Sequence, residues 1–420
     1  MSTEPLPTDP LPIEPSATDP LPTDPLPAHP TVRDRPFDPP RELMEWQADE
    51  PLRRMRYPDG HIGWVVTSHE LTRTVLTDPR FSARSEFKRA PVHRPGTEPF
   101  FGVPAAPGWL VDMDPPEHTR LRQQLAGQFT ARRMKELSPR LVAITDELLS
   151  GMERGGPGAD LVEAFALPLA SQVICELLGV PSTDRAEFQR NSRALFSLRS
   201  TAADTAAALE RLYATVRGIA AGGATAGGTP GLLRALAEDG TLDTEEIAGV
   251  GVLLLTAGHD STTGSLALSV FALLSHPAEL ARLRGDPSLV DNAVEELLRY
   301  LTVFHYGVPR TPLEDLELAG RTLRAGDSIT VSLSAANRDP HWFAHGADRL
   351  DLTRRTTGHV AFGHGIHQCL GQNLVRMQMR TALPMLLRRF PTLALAVPAE
   401  EVRLATDMSV YGVHRLPVTW

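Results

Sequence analysis

Between Asp243 and Pro277 the chain runs for more than thirty residues without a proline, and beyond Glu246 only Asp260 in it is an acid or base at full charge. Asp243 is a helix N-cap, and Glu246 three residues later completes a carboxylate version of the capping box. Pro277 marks the end. The spacing predicts one helix from about Thr244 to Ser275, roughly 32 residues and ~48 Å at ~1.5 Å per residue. That is long enough to cross the whole molecule. It is apolar nearly all round, which a helix tolerates only when buried. A chain of 420 residues, 42% of them hydrophobic, can build the core this requires.

The rest of the chain is arranged around that helix. The first 40 residues carry 13 of the 37 prolines, in repeats of Pro-Leu-Pro-x-acid such as "PLPTDPLPIEP". Proline fixes φ and removes backbone donors, so residues 1–36 read as an extended, disordered tail and residues 37–420 as a single domain. The tail is either an inert solubilising segment or a docking peptide for a proline-binding partner. "GHIGWVVTSHE" has the β-branched run of a strand, residues 117–150 read as helices, and "PLASQVICELLGVP" is a helix ended by Gly179 and Pro181. "RTLRAGDSITVSL" turns strand-rich before a last helix. The fold class is mainly α with small β-sheets (α+β), with one long central helix.

Composition excludes several function classes. A net charge of −9 gives no reason to expect a nucleic-acid surface. No run of about 18 apolar residues appears, so no membrane span is expected. Two cysteines, Cys175 and Cys369, cannot build a disulfide framework, and a reducing, cytoplasmic setting is expected. Cys175 lies on an apolar helix and reads as an inert buried thiol.

Cys369 is different. In "AFGHGIHQCLG" it sits among two histidines and three glycines. Zinc is one reading, with His364, His367 and Cys369 as ligands, but a structural zinc needs a fourth and no second cluster lies nearby. A nucleophilic thiolate with His367 as base is another. The third is a thiolate on haem iron. The third fits best. Gly363, Gly365 and Gly371 leave the backbone bare, so a flat macrocycle can lie close to it. The following helix start places N–H groups near the sulfur, and Phe362 can cover it.

"FGHGIHQCLG" resembles the haem-binding loop of the cytochrome P450 family, Phe-Gly-x-Gly-x-His-x-Cys-x-Gly, at every fixed position. The resemblance extends over about residues 41–420. It implies haem b (iron protoporphyrin IX) with Cys369 as the metal ligand, and Phe362, Gly363, His367 and Gly371 as cofactor-binding loop residues. "DPPEHTRLR" is similar to the family's segment that sets a histidine and an arginine, here His118 and Arg122, against a haem propionate. "VPRTPLEDLELAG" similarly implies Arg310 for a propionate. His359 reads as structural and His364 has no role. "VEELLRY" supplies Glu296 and Arg299, which alone would be a surface pair but resembles the family's structural Glu-x-x-Arg motif.

On the long helix "AGHDST" resembles the family's Ala-Gly-x-Asp/Glu-Thr-Thr signature. Ala257 and Gly258 would clear space for dioxygen, and Asp260 with Ser261 and Thr262 would relay protons as the catalytic residues. Ser261 stands where the family usually has threonine. The resemblance therefore implies a monooxygenase that takes O2, and electrons from a ferredoxin and its reductase, to hydroxylate or epoxidise a small-molecule substrate, a secondary-metabolite intermediate. Oxidative C–C or C–O coupling without oxygen insertion is the alternative, and a non-enzymatic gas sensor a third. The expected substrate walls are residues 83–108, 195–205, Leu254, Ala257, Val303–Gly307 and 408–412, with His305, Tyr306 and Tyr411 as polar handles. Arg120, Arg132, Arg133, Arg376 and Arg380 are the expected docking face for an acidic ferredoxin.

Overall fold

A computed structural model describes residues 26–96, 100–181, 184–222, 231–344 and 346–420. The repeats of the expected tail fall mostly in residues 1–25, outside the described residues.

The long helix spans Thr244–Ser275. Both halves of the capping box form: the Asp243 side chain accepts from the Glu246 N–H, and the Glu246 side chain accepts from the Asp243 N–H. Of its 32 residues, 22 are buried, on every side of the helix. Helices Leu167–Leu178, Arg185–Phe196 and Ala202–Ala220 pack along it. Gly258 marks one tight crossing. A Cβ there would meet Ile174 Cδ1 at 3.0 Å. A mid-helix glycine costs about 1 kcal/mol against alanine, and close packing of the Leu167–Leu178 helix offsets it. Cys175 lies in that same layer, and burial pushes its thiol up to about 12. Among the described residues no single helix is long and apolar enough to cross a membrane.

The sheets are small. One has five strands in the order Leu52–Arg56, Ile62–Val66, Ile329–Val331, Val308–Pro312 and Phe81–Ser82. Only the Ile62–Val66 and Ile329–Val331 pair is parallel. "GHIGWVVTSHE" is therefore a strand, but its last residues start a helix, His69–Thr77, whose N-terminus Ser68 caps. A second sheet runs Ala159–Asp160, Pro417–Thr419, Ala394–Leu395.

The Glu296–Arg299 pair is wholly buried, not on the surface. Arg299 Nε donates to Glu296 Oε2 at 2.7 Å and Nη2 to Oε1 at 2.8 Å. Its Nη1 reaches the carbonyls of Asn337 (2.6 Å) and Ala347 (2.9 Å). An exposed pair contributes about 0–1 kcal/mol, whereas removing one partner of a buried pair costs about 3–5 kcal/mol. The fork pins the chain that leads towards Cys369. Asn337 carries the pinning on: its Oδ1 accepts from the Val360 N–H at 2.7 Å.

The ordered body begins before residue 37. The Arg56 N–H donates to the Pro27 carbonyl at 2.8 Å, beside an Ala28–Arg56 bridge. His29 is buried. The Arg33 guanidinium stacks on Tyr411, 3.9 Å from the ring centroid, and the Tyr411 hydroxyl donates to the Pro36 carbonyl at 2.7 Å. Prolines lose donors but keep acceptors, so this proline-rich segment still offers carbonyls to the body. His29 and Arg33 add the side chains that anchor it.

Candidate active site

The cysteine loop is a turn with two residues in the left-handed region, Gly363 at φ +70° and Gly365 at φ +72°. The Cys369 N–H donates to the Phe362 carbonyl at 2.9 Å and closes the loop. Helix Gln372–Arg389 begins directly after Gly371. Burial pushes the Cys369 thiol up, while the Gly371 N–H, Arg122, Arg376 and the Gln372 N–H act in the opposite direction. Those groups favour the thiolate but do not overcome burial by themselves. A Cβ on Gly363 or Gly371 would meet no protein atom within 4 Å, and both residues line the cavity in front of the sulfur. Gly365 works differently from the expectation. A Cβ there would run into the Leu76 carbonyl, so this glycine seats the loop on the His69–Thr77 helix and does not clear the cavity. Phe362 lines the cavity and carries the Arg376 guanidinium 4.5 Å over its ring.

Cations gather beside the loop. The rings of His118, on helix Glu117–Ala126, and His367 lie 4.2 Å apart. Both ring nitrogens of His118 are buried and unpartnered among the described residues. Burial, then Arg310, His118, Lys88 and Arg122, push His367 down to about 2. Arg310 is buried, with one bond to the carbonyl of its neighbour Pro309 and no carboxylate at ion-pair distance among the described residues. Arg122 Nη2 donates to the Gln368 carbonyl at 2.7 Å, so it holds the residue before Cys369. A buried cluster with spare donors, in which Arg310 has no carboxylate at ion-pair distance among the described residues, calls for an anion. Together with the open glycine faces, it fits a flat dianionic macrocycle such as haem. Lys88 belongs to this cluster and escaped the sequence reading, although it pairs with Asp112 and is one of only two lysines in the chain.

Across the same cavity stand Ala257, Gly258, Ser261 and Thr262. Ser261 Oγ donates to the Ala257 carbonyl at 2.6 Å. Thr262 Oγ1 is buried with no partner among the described residues. Asp260 does not line the cavity. Its Oδ2 accepts from Ser192 Oγ at 2.6 Å and lies 3.2 Å from His259 Nδ1. Successive helical residues point about 100° apart, which turns this carboxylate towards helix Arg185–Phe196 and away from Ser261.

The cavity is continuous, about 500 Å³, and most of its remaining wall is apolar. The expected walls are present, through Phe100, Leu195, Leu254, Val303 and Val410 among others. Two expected polar handles are not: His305 and Tyr411 turn away, onto Arg33. Tyr306 stays on the wall but its hydroxyl donates to the Thr406 carbonyl at 3.1 Å. Arg94, within the expected wall 83–108, lines the cavity as a charged group that the sequence reading did not single out among the polar handles. His364, given no role, also lines it. His359 is structural as expected, bonded to Glu295 at 3.0 Å.

The expected docking arginines are mostly engaged. Arg120 pairs with Glu246, Arg133 with Glu136, and Arg376 and Arg380 with Glu295. Of the five, only Arg132 is exposed without an ion pair among the described residues.

The family model "Cytochrome P450" matches residues 231–404. Cytochrome P450-SU2 of Streptomyces griseolus is 45% identical over 387 residues, covering 92% of this chain and 94% of that protein. Pentalenic acid synthase of Streptomyces avermitilis is 42% identical over 399 residues, covering 93% and 96%. The crystal structure of CYP105P1 in complex with filipin I superposes with a TM-score of 0.86 at 40% identity, covering 94% of this chain and 99% of that one. Sequence identity of this extent and the shared fold carry the same conclusion as the cysteine loop: the chain belongs to the cytochrome P450 family, the haem-iron monooxygenases.

Proposed function

We propose that this protein inserts one atom of O2 into a small, largely apolar substrate, a secondary-metabolite intermediate, using haem b held by Cys369 and electrons from a ferredoxin and its reductase. The observation that carries this is the continuous cavity running from Cys369, under Ala257 and Ser261, to a largely apolar wall. Relatives named for such chemistry, pentalenic acid synthase and a mycaminosyltylactone 23-monooxygenase, support it.

Bound there, the haem supplies oxygen activation and the positive charge that makes the Cys369 thiolate the stable form. The chain's own residues do the rest. His118, Arg122, Arg310 and His367 would hold the acidic groups of the cofactor, and the open faces of Gly363 and Gly371 would leave room for it beside the loop. Phe362 keeps water from the sulfur. Ala257 keeps the helix surface low over the cavity, while Gly258, contrary to the expectation, makes room for Ile174 of the neighbouring helix. To hand a proton into the cavity Ser261 Oγ would have to turn from the Ala257 carbonyl, and Asp260 would have to leave Ser192 to resupply it. Thr262 is the second hydroxyl at that surface.

The test uses ¹⁸O2 with ferredoxin, reductase, NADPH and whichever candidate substrate shifts the Soret band. Label in the product supports oxygen insertion. An unlabelled coupled product supports oxidative coupling in its place, and no product with any shifting ligand refutes both. In the same assay Ser261→Ala should leave ligand binding intact and divert NADPH consumption to hydrogen peroxide. Unchanged product per NADPH would assign the relay to Thr262 or water.

A further inference from the structure

The charged groups of the cavity wall can be sorted by what they touch. Lys88 and Asp112 neutralise each other. Arg122, Arg310 and the histidines His118 and His367 form the cofactor cradle beside Cys369. Arg94 is left over. It is half-buried, and its Nε is fully buried without a partner. Its Nη2 donates to the Leu195 carbonyl, and its guanidinium sits 5.2 Å from the Phe100 ring centroid. No carboxylate lies at ion-pair distance among the described residues. Burial alone pushes its pKa down to about 10, with no charged group contributing. Its neighbours, Leu195 on helix Arg185–Phe196 and Phe100, belong to the substrate walls and not to the cofactor cradle.

A guanidinium held in an otherwise apolar wall, with a donor unused, is stabilised by whatever anion reaches it. Asp112, the only acid on the wall among the described residues, is taken by Lys88. The missing anion is therefore on the ligand. We propose that Arg94 recognises a carboxylate on the substrate, so that the substrate class is apolar organic acids. Bound this way, the acid end stays at Leu195 and Phe100, and the apolar remainder extends under Leu254 and Ala257 towards the cysteine loop. Arg94 then decides which carbon is presented for oxidation. This rests on the proposed function and narrows its substrate.

The test compares each acid with its own methyl ester on the full-chain holoprotein at pH 8. The probes are dodecanoate with methyl dodecanoate, which are flexible, and 1-naphthaleneacetate with its methyl ester, which are rigid. Binding is read by Soret difference titration and separately by equilibrium dialysis. A charge-assisted hydrogen bond predicts that in at least one pair the acid binds about tenfold or more tightly than the ester. Arg94→Leu should bring that ratio to about one, and Arg94→Lys should keep part of it. Because the ratio is taken within one variant, partial loss of folded protein cancels. Equal retention of acid and ester by the wild type in both pairs overturns the proposal, as does an acid preference that survives Arg94→Leu. Glu98 lies four positions on, outside the described residues. An acid preference seen only in Glu98→Gln would mean that the chain neutralises Arg94 itself, which also overturns the proposal. The reduced, CO-bound spectrum separates the two readings. Loss of the thiolate band counts against the proposed function, whereas dialysis still reads the acid preference without it.

Discussion

Arg33→Ala tests whether residues 27–36 are part of the body. In the wild type the Arg33 guanidinium lies 3.9 Å from the Tyr411 ring centroid, donates to the Asp38 carbonyl at 2.8 Å and approaches His305 Nδ1 at 3.2 Å. A partly desolvated cation–π contact contributes about 0.5–2 kcal/mol. A hydrogen bond contributes about 0.5–1.5 kcal/mol net. Burial of the guanidinium opposes both, since it pushes the pKa down to about 10. A loss of about 2–3 kcal/mol follows. At about 2.1 cal/mol/K per residue, a body of 395 residues (420 less the first 25) unfolds with an entropy near 0.8 kcal/mol/K. The thermal midpoint should then fall by about 2–4 °C. Deleting residues 1–25, with eight prolines and little to bury, should change it by less than about 1 °C. Differential scanning calorimetry of the two variants beside the wild type is the assay. An unchanged midpoint in Arg33→Ala, or an equal fall on removing residues 1–25, refutes the reasoning.

Gly363→Ala should separate folding from cofactor retention. The left-handed φ costs about 1–2 kcal/mol for alanine, and the new methyl meets no protein atom. Far-ultraviolet circular dichroism should be unchanged while haem retained per chain drops, and full retention would contradict the role given to that open face. Glu295 should make stability acid-sensitive. Burial favours its neutral form, but hydrogen bonds from His359 and Arg376 outweigh that and hold the carboxyl down at about 2, from 4.5. Its contribution is complete above about pH 4.5 and is lost as pH falls towards 2, roughly 3 kcal/mol in all. Urea midpoints between pH 5 and 3 should fall less steeply in Glu295→Gln than in the wild type.

The features legible in the sequence were those written locally. The long helix carried its own cap, its own stop and an unbroken apolar circumference, so its bounds emerged from residues 243–277 alone. The cysteine loop held its glycines and histidine within eleven residues. Harder to see were facts set by partners distant in the chain. Asp260 is adjacent to Ser261 in sequence, yet one step of helix turns its carboxylate to Ser192. Arg376 and Arg380 look like free cations until Glu295 meets them from another helix. His305 and Tyr411 leave the cavity wall because Arg33 arrives behind them from a segment whose proline content argued against any contact. The interest of Arg94 lies in a carboxylate it does not meet, and a sequence cannot display that.

Cys369 as the ligand of a haem iron underlies every role proposed for the cavity. The most direct measurement is the absorption spectrum of the purified protein after reduction with dithionite and addition of CO. The wild type should show the red-shifted Soret band of thiolate ligation, and Cys369→Ser should lose it while retaining the helical circular dichroism of the wild type. A thiolate band that persists in Cys369→Ser, or wild-type protein that carries zinc and takes up no haem, would contradict it.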